Sequence, residues 1–173
     1  MNSDISIREL TTEDWKTYRF LRLSSLLDSP DSFAVTYEEE KDLTSDEWKS
    51  KISPENGPYA VLPLVAKIGD VPVGLAFGVM HALEAQSVNI YRMWVSPEYR
   101  NRGVARELLN DLVIWAAGLK SNSLNLSVTT TNSAAISLYS SFGFEASGEP
   151  EELRRGSALV VQPMELILKN ENA

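Results

Sequence analysis

The sequence predicts an α/β (α+β) chain in which a mixed, mostly antiparallel central sheet carries helices on both faces. Three strand-like runs follow one another without a helix between them, which indicates an antiparallel meander. The last of these runs is followed by a helix and another strand, which is typical of a crossover between parallel strands. The 173 residues are 43% hydrophobic, enough for one sizeable core, so we expect a single domain over residues 1–173.

The front of the chain predicts one strand and two helices. The segment "ISIREL" alternates in polarity and indicates the first strand. Thr11 and Asp14 have capping-box spacing, so a helix is expected to begin there and to end before Pro30, since proline disfavours helical geometry in the preceding residue. Thr44 and Glu47 repeat that spacing and open a second, short helix. We interpret "SFAVTYEEEKDL", between the two helices, as a loop.

The meander and the crossover occupy the rest of the chain. "YAVLPLVAKIGDVPVGLAFGVMHAL" predicts two strands joined by a hairpin at "IGD", and "SVNIYRMWV" predicts the third. Apolar residues then recur at helical spacing from Ala105 to Ala116, and "LNLSV" indicates another strand. "NSAAISLYSSFGF" predicts a helix that ends at Gly143, "SALVVQPMELIL" predicts the last strand, and "KNENA" is a polar tail expected to fray.

Composition excludes several classes of function. The chain has no cysteine and a single histidine, His81, so we expect no disulfide, no thiolate chemistry and no metal site. No G-x-S-x-G motif is present to support a Ser-His-Asp hydrolase. A net charge of −8 argues against nucleic acid as a partner. The start lacks the pattern of a signal peptide, and no apolar run is long enough to span a membrane, so we expect no membrane association and a cytoplasmic protein.

The charges are unevenly distributed. Between Asp28 and Glu47 there are eight acidic residues and one lysine, whereas four arginines and one glutamate lie between Arg92 and Arg106. The basic stretch predicts a polyanionic ligand, and the acidic stretch suggests a cationic one.

The basic stretch "VSPEYRNRGVARELL" places a turn with one glycine, Gly103, before a helix. The first amides of a helix lack intrahelical acceptors and carry the positive end of its dipole, so they can bind a phosphate where a glycine leaves the backbone bare. Arg100, Arg102 and Arg106 add side-chain charge nearby. Neither G-x-x-x-x-G-K-[ST] nor G-x-G-x-x-G is present, so a P-loop or dinucleotide fingerprint does not account for the turn.

Two motifs on these elements resemble the signatures of the GNAT superfamily of acyl-CoA-dependent N-acyltransferases. The first is R-x-x-G-x-A from Arg100 to Ala105, after "MWVSPEY". The second is N-x-x-A-x-x-L-Y-x-x-x-G-F from Asn132 to Phe144. The order of elements is similar to that fold along nearly the whole chain. The front end resembles a bacterial-type subgroup, with no substrate assigned.

The resemblance implies a sheet of about seven strands that splays between its fourth and fifth strands and binds acetyl-CoA there. Strand backbone would pair with the pantetheine arm, helix amides would hold the diphosphate, and the second motif would line the far wall. The residues that the resemblance assigns to the cofactor are Met93, Trp94, Val95, Arg100, Asn101, Arg102, Gly103, Val104, Ala105, Asn132, Ala135 and Tyr139.

The resemblance also implies direct attack of a neutral amine on the acetyl group within a ternary complex. Tyr139 is the expected catalytic residue, donating a proton to the departing thiolate, and its alternative role is that of a core tyrosine on the apolar face of a helix. A free N–H near Trp94 or Val95 would stabilise the oxyanion. The phosphate-binding turn and Tyr139 would then serve opposite ends of one cofactor.

The general base and the acceptor remain open at this stage. Some family members carry a glutamate on the fourth strand, but "SVNIYRMWV" has none. Glu38, Glu39 or Glu40 acting through water is one alternative, and a water wire without a dedicated base is another. A run of three glutamates is more often a solvated face. The residues expected to contact the acceptor are Phe33, Tyr37, Glu38 and Arg92.

The first hypothesis for function is an acetyl-CoA-dependent N-acetyltransferase that acts on a primary amine of a small molecule or peptide. The absence of a carboxylate on the fourth strand supports an alternative, a non-catalytic acyl-CoA-binding regulatory module. O-acylation is a third reading that differs only in the acceptor. The resemblance also implies that a homodimer can form through sheet edges or the segment "SALVVQPMELIL".

Overall fold

A computed structural model describes residues 4–169, and within that range the chain forms eight strands and five helices. The strands are β1 (Ile5–Glu9), β2 (Ala60–Ile68), β3 (Val71–Met80), β4 (Ser87–Val95), β5 (Ser123–Thr129), β6 (Glu145–Ala146), β7 (Glu151–Glu152) and β8 (Val160–Ile167). The helices are α1 (Trp15–Asp28), α2 (Tyr37–Glu40), α3 (Ser45–Ile52), α4 (Val104–Gly118) and α5 (Ser133–Phe142). Most of the polar tail "KNENA" lies outside the described residues.

The strands form one sheet in the order β1-β2-β3-β4-β5-β8-β6, with β7 also paired to β8. Every pair is antiparallel except β4 and β5, which run parallel because the chain returns to the sheet through α4. The predicted mixed, mostly antiparallel sheet is therefore confirmed. Its strand number exceeds the expected seven because β6 and β7, two residues each, are too short to produce a sequence pattern.

The segment "SALVVQPMELIL" contains β8, which lies inside the sheet. β5 pairs with one of its edges, and β6 and β7 pair with the other. Pairing between copies through this strand would have to displace β6 or β7, and the homodimer stays a prediction.

Helices cover both faces of the sheet, as predicted, and divide the core into two layers. On one face α4 buries Leu108 against strand residues such as Val88, and α5 lies in the same layer. On the other face α1 and α3 bury Tyr18 and Trp48 against Phe77. Burial of one large apolar side chain stabilises the fold by roughly 1.5–3 kcal/mol. Each layer contains several such side chains.

Capping boxes set the helix starts in the front half of the chain. Thr44 caps α3 as predicted, and the Thr44 N–H donates to Glu47 Oε2 at 2.7 Å. Thr11 and Asp14 form the same pair, but they enclose a short 3-10 turn, so α1 begins at Trp15 rather than at Thr11.

The segment interpreted as a loop contains one helical turn, α2. Thr36 and Glu39 form its capping box, with the Thr36 N–H donating to Glu39 at 2.7 Å. The sequence contains the T-x-x-E signal, but a single turn has no helical periodicity to accompany it. The interpretation as a loop over the whole segment is therefore wrong.

A bulge in β4 shapes the middle of the sheet. Leu75 pairs with Trp94 and Phe77 pairs with Tyr91, so one residue of β3 faces two residues of β4. Arg92, within this bulge, has a φ of +57°, in the left-handed region. Such an extra residue interrupts the ladder and bends the strand.

The bulge also exchanges the faces of β4. Side chains alternate along a strand, and Val88 and Ile90 before the bulge pack in the α4 layer. After the bulge it is Met93 and Val95 that contact this layer. Trp94 therefore points to the opposite layer, where it is buried with residues of α1.

The pairing between β4 and β5 ends early. The two strands pair only over residues 87–89 and 123–125, whereas β4 continues to Val95 and β5 to Thr129. The predicted splay between the fourth and fifth strands is therefore confirmed. Backbone groups on the facing edges of the unpaired stretches have no partner strand on that side, and such groups require another partner.

A buried ion pair joins α1 to α2 beside this gap. Arg22 Nε donates to Glu40 Oε2 at 3.0 Å, and both side chains are 4% exposed. Lys51 of α3 contacts the other oxygen of Glu40 at 3.5 Å. Removing a charge from water costs several kcal/mol, so neither member of the pair is stable here without the other.

Candidate active site

The unpaired stretches of β4 and β5 border a cleft of about 1010 Å³. Gly103 and Ala105 at the start of α4 line it, together with Tyr139 of α5. Arg22 of α1 and the following loop residue Phe33 line it as well. Because these residues come from both core layers, the cleft lies within the sheet at the splay and is lined from both faces.

The start of α4 leaves its amides free of protein acceptors. The first helical hydrogen bond runs from Glu107 N–H to Gly103 O at 3.0 Å. Within residues 4–169, no acceptor lies on the N–H groups of residues 103–106, and no side chain caps the helix. Four N–H groups and the positive end of the helix dipole therefore face the cleft entrance, as the sequence predicted for a phosphate site.

Gly103 is needed here for its backbone conformation. Its φ is +89°, a region that other residues rarely adopt, and an added Cβ would meet no atom within 4 Å. The sequence explained this glycine by space alone. The structure adds the left-handed turn that aims the first amides of α4 outward, and it leaves the space beside the glycine open.

Arg100 has protein partners for its charge. Its Nη2 donates to Asp28 Oδ2 at 2.5 Å, and its Nε donates to the Val95 carbonyl at 2.9 Å. Asp28 also accepts from Trp94 Nε1 at 3.0 Å. Burial opposes ionisation of Asp28, but hydrogen bonds from Ser29, Trp94 and Arg100 outweigh it and lower the pKa. Arg100 thus joins the end of α1 to the turn before α4, although it still lines the cleft.

The other two arginines differ in position. Arg102 lies over the Tyr99 ring at 5.3 Å and is not among the residues that line the cleft. Arg106 lines the cleft, donates to Ser141 Oγ at 2.9 Å and lies over the Phe142 ring at 5.0 Å. No carboxylate of the described chain lies within ion-pair distance of Arg106. Its charge therefore stays available beside the free amides.

The remaining cofactor residues that the resemblance assigned are brought to the cleft. Met93, Trp94 and Val95 line it from β4, and Asn101 and Val104 line it from the turn and the start of α4. The Val95 carbonyl oxygen already accepts from Arg100 Nε. Its second lone pair is the one left for a ligand.

The second motif forms the wall opposite β4. Asn132 Oδ1 accepts from the Ala135 N–H at 3.2 Å and caps α5, and both residues line the cleft. Tyr139, 7% exposed, packs beside Phe144 with 5.8 Å between ring centroids. Burial raises the pKa of the Tyr139 phenol to about 12, and no acceptor for its hydroxyl is found in residues 4–169. The phenol is therefore protonated at neutral pH.

The four residues expected to contact an acceptor divide into two pairs. Phe33 and Arg92 line the cleft, whereas Tyr37 and Glu38 do not. Glu38 is exposed and forms an ion pair with Lys41. The structure therefore brings half of this predicted set together.

The other two glutamates of the triple run also have protein partners. Glu39 caps α2, and Glu40 is buried with Arg22 and Lys51. Neither lines the cleft.

Sequence reasoning missed three charged residues of the cleft. Arg22 reaches the cleft from α1, and Glu151 and Glu152 reach it from β7. Among the described residues these two glutamates are the carboxylates that line the cleft. No local pattern indicates them, since β7 is two residues long and its position depends on pairing with β8.

The loop after α1 is fastened to distant parts of the chain. Arg154 donates to the carbonyls of Phe33 at 2.6 Å and Pro30 at 2.8 Å. Thr129, at the end of β5, donates to the Asp31 carbonyl at 2.7 Å. These bonds hold Phe33 against the cleft.

His81 hydrogen-bonds the Tyr91 hydroxyl at 3.0 Å and does not line the cleft. Over residues 4–169, no three metal-binding side chains cluster. In the same range, no helix is both long and apolar enough to cross a bilayer.

Comparison with known proteins places the chain in a family. The model of the "Acetyltransferase (GNAT) family" matches residues 8–144. L-amino acid N-acetyltransferase AaaT of Escherichia coli is 28% identical over 159 residues, which cover 89% of this chain and 92% of that protein. N-alpha-acetyltransferase RimI of Mycobacterium tuberculosis is 39% identical over 59 residues, and the match spans 34% of this chain and 35% of that protein. An uncharacterised Mycobacterium leprae protein, ML0378, matches over 59 residues, which span only 16% of its length.

Solved structures share the fold at low sequence identity. YncA of Salmonella typhimurium, a putative acetyltransferase with its cofactor acetyl-CoA, superposes with a TM-score of 0.78 at 19% identity and covers 99% of this chain and 98% of that one. Spermidine N-acetyltransferase of Vibrio cholerae, in complex with CoA and spermine, gives a TM-score of 0.74 at 21% identity, with 96% of each chain covered. The splayed sheet, the uncapped α4 and the family match over most of the chain agree, and the protein belongs to the GNAT family of acetyltransferases.

Proposed function

We propose that this protein is an N-acetyltransferase that moves an acetyl group from acetyl-CoA to a primary amine within a ternary complex. The observation that carries the proposal is one cleft, lined from both faces of the sheet, that joins the free amides of α4 to a buried phenol and two glutamates. Two structural neighbours hold acetyl-CoA or CoA, which supports the choice of donor. The absence of cysteine suits action in the reducing cytoplasm.

The cleft residues fit coenzyme A at three points. The free N–H groups of residues 103–106 and the Arg106 guanidinium suit a diphosphate. The open space beside Gly103 lets a phosphate approach the backbone closely. The unpaired edge of β4 beyond Asn89 offers backbone groups to the amides of a pantetheine arm, as a sheet edge does to an added strand. A thioester bound there would supply an acyl carbon to a neutral amine. The C–N bond would form first, and the C–S bond would then break as the thiolate leaves.

Tyr139 is proposed to stabilise the departing thiolate. Its phenol, with a pKa of about 12, is protonated and buried in the cleft wall. A thiol has a pKa of roughly 8.5, so the phenol is the weaker acid and donates a hydrogen bond rather than surrendering its proton first. The proton that finally rests on sulfur then originates from the attacking amine. A backbone N–H of β4 near Trp94 or Val95 is proposed to stabilise the oxyanion.

Glu151 and Glu152 are proposed to accept the first proton from the amine. An alkylammonium, with a pKa of roughly 10, has no lone pair at neutral pH and must be deprotonated before attack. These glutamates are the carboxylates that the described chain presents to the cleft, directly or through water. They replace the triple glutamate run in this role, since they line the cleft and no member of that run does. Glu152 Oε2 also accepts from the Gly156 N–H at 3.2 Å.

Release of free thiol tests the function itself. The protein is incubated with acetyl-CoA and a panel of primary amines that includes amino acids, polyamines and a peptide N-terminus. We expect thiol release that depends on both protein and amine, with an equal amount of N-acetyl product by mass spectrometry. Binding of acetyl-CoA without thiol release for any amine would instead support the non-catalytic acyl-CoA-binding module.

A carboxylate at the start of α4 should oppose coenzyme A. Gly103→Glu places a negative charge beside the free amides, and we expect the Kd for coenzyme A to rise at least about tenfold, measured by calorimetry. Gly69→Glu is the matched control, because Gly69 also has a positive φ, +58°, and open space, but lies in the β2–β3 turn. Both variants place a glutamate at a positive φ with open space around it, so equal affinities in the two would refute the phosphate site.

Loss of the Tyr139 hydroxyl should slow turnover and leave cofactor binding intact. A hydrogen bond to a charged group contributes roughly 1.5–3 kcal/mol, so Tyr139→Phe should lower kcat about 10- to 100-fold. The pH profile should keep its shape below about pH 11, because a phenol with a pKa of about 12 does not titrate there. Tyr59→Phe, at an exposed tyrosine outside the cleft, serves as the control. Full turnover in Tyr139→Phe would leave this residue a purely packing role.

Neutralising the cleft carboxylates should matter most at low pH. Glu151→Gln/Glu152→Gln should reduce kcat/KM about 100-fold at pH 7. The loss should shrink near pH 10, where much of the amine is already neutral. Glu149→Gln changes an exposed glutamate just before β7 that does not line the cleft, and it should have no effect. A loss in the double variant that is the same at both pH values would exclude proton transfer to these groups.

A further inference from the structure

Two buried donors on α1 have no protein acceptor. Tyr18 Oη and Arg22 Nη1 are fully buried, and neither forms a hydrogen bond within residues 4–169. An unsatisfied buried polar group costs about 1–3 kcal/mol, and more when it is charged. Both residues lie on α1, one turn apart, and Arg22 lines the cleft. A bound acceptor group would offset this cost.

The surroundings of these donors are rich in positive charge. Arg92, half-buried at the bulge, lines the cleft beside Arg22 and has no carboxylate within ion-pair distance in the described chain. Glu40 is the carboxylate that contacts Arg22, and it also serves Lys51. Glu40 is thus shared by two cations, and among the described residues Arg92 has no carboxylate of its own. Burial raises the pKa of Tyr18, and the positive charges of Arg92 and Arg22 oppose that rise.

The two guanidinium groups are held in place by aromatic rings. Arg22 lies over Phe33 at 5.0 Å and Arg92 lies over Phe77 at 4.7 Å. The Phe77 ring also packs against Tyr18, with 5.2 Å between centroids. Stacked arginines keep their donor forks free for a planar acceptor. The bulge fixes Arg92 in a left-handed conformation, so its backbone position is set by the fold as well.

We propose that Arg22 and Arg92 bind a carboxylate of the acceptor, so that the acceptor is an amino acid or another amine that carries a carboxylate. A carboxylate accepts paired hydrogen bonds from arginine forks, which matches the donors present. The inference rests on the proposed N-acetyltransferase function. In this arrangement the two arginines contact the acceptor's carboxylate on the α1 side of the cleft. Glu151 and Glu152, on β7, accept the proton of its amine. An amine without a carboxylate leaves these donors unsatisfied and is disfavoured.

The experiment compares each amino acid with its decarboxylated amine. The pairs are leucine with 3-methylbutylamine, phenylalanine with 2-phenylethylamine, and glutamate with 4-aminobutyrate, where the last amine keeps one carboxylate. The measured quantity is the ratio of kcat/KM within each pair, from thiol release with acetyl-CoA. For at least one of the first two pairs we expect the amino acid to be preferred by about 100-fold or more. A ratio near one in both pairs overturns the proposal and leaves the buried donors to internal water.

Variants identify the residues responsible. Arg22→Met/Glu40→Met removes the unpartnered donor without leaving a buried charge alone, a change that stability usually tolerates. Arg92→Asn suits a left-handed backbone position. Each should lower the preference for the amino acid at least tenfold, and Arg92→Lys should retain part of it. Arg19→Met, on the exposed face of α1, is the control and should keep the wild-type ratio. An unchanged ratio in both test variants contradicts the assignment.

A binding measurement separates this proposal from the proposed function. Calorimetry on the CoA-loaded protein compares N-acetyl-leucine with N-acetyl-3-methylbutylamine, and N-acetyl-phenylalanine with its amine counterpart, in the wild-type protein and the variants. If no amine releases thiol, the acetyltransferase function fails, but tighter binding of the carboxylate ligand that is lost in the variants still supports the subsite. Equal binding of both ligands in each pair overturns the subsite even where turnover is observed. Urea unfolding confirms that every variant is folded.

Discussion

The early end of pairing between β4 and β5 is the constraint on which the rest of the structure depends. Three residues of each strand pair, and beyond them the strands separate although both continue. A sheet normally satisfies its backbone groups by adjacent strands, so a gap in the middle of a sheet is costly unless something else fills it. The gap therefore marks a place that the fold keeps open, and the two core layers on either side provide the rigidity that it requires.

One carboxylate oxygen links the end of α1 to β4 and to the turn before α4, beside this gap. Asp28 Oδ2 accepts from Trp94 on β4, from Arg100 in the turn before α4 and from the neighbouring Ser29. The end of α1 is thereby fixed to the turn that positions the free amides of α4. The arginine of the first motif acts here as a structural connector, and the charge available at the helix start comes from the amides and Arg106.

Local patterns in the sequence predicted the regular elements and the start of α4, because periodicity, capping boxes and a glycine turn are encoded within a few residues. The bulge was not predictable, because arginine is not a residue type that favours the left-handed conformation, and nothing near Arg92 in the sequence marks it. Glu151 and Glu152 were missed for a different reason. Their place in the cleft depends on pairing with β8 and on Arg154, which binds a carbonyl 121 residues earlier. Such contacts follow from tertiary packing and leave no local signal.

The acidic stretch shows why charge counted along a chain is a poor guide to a ligand. Asp28, Glu38 and Glu40 have basic partners, and Glu39 and Glu47 cap helices. A charge attracts a ligand to the extent that the fold leaves it unpaired and desolvated, since pairing cancels its field and water screens what remains. At the cleft the fold leaves a different set: Arg22 with a free donor and Arg92 without a carboxylate, and the glutamates of β7 on a separate element. A lining with both signs of charge suits a zwitterion better than a simple cation, although the charge count along the sequence suggested a cationic ligand.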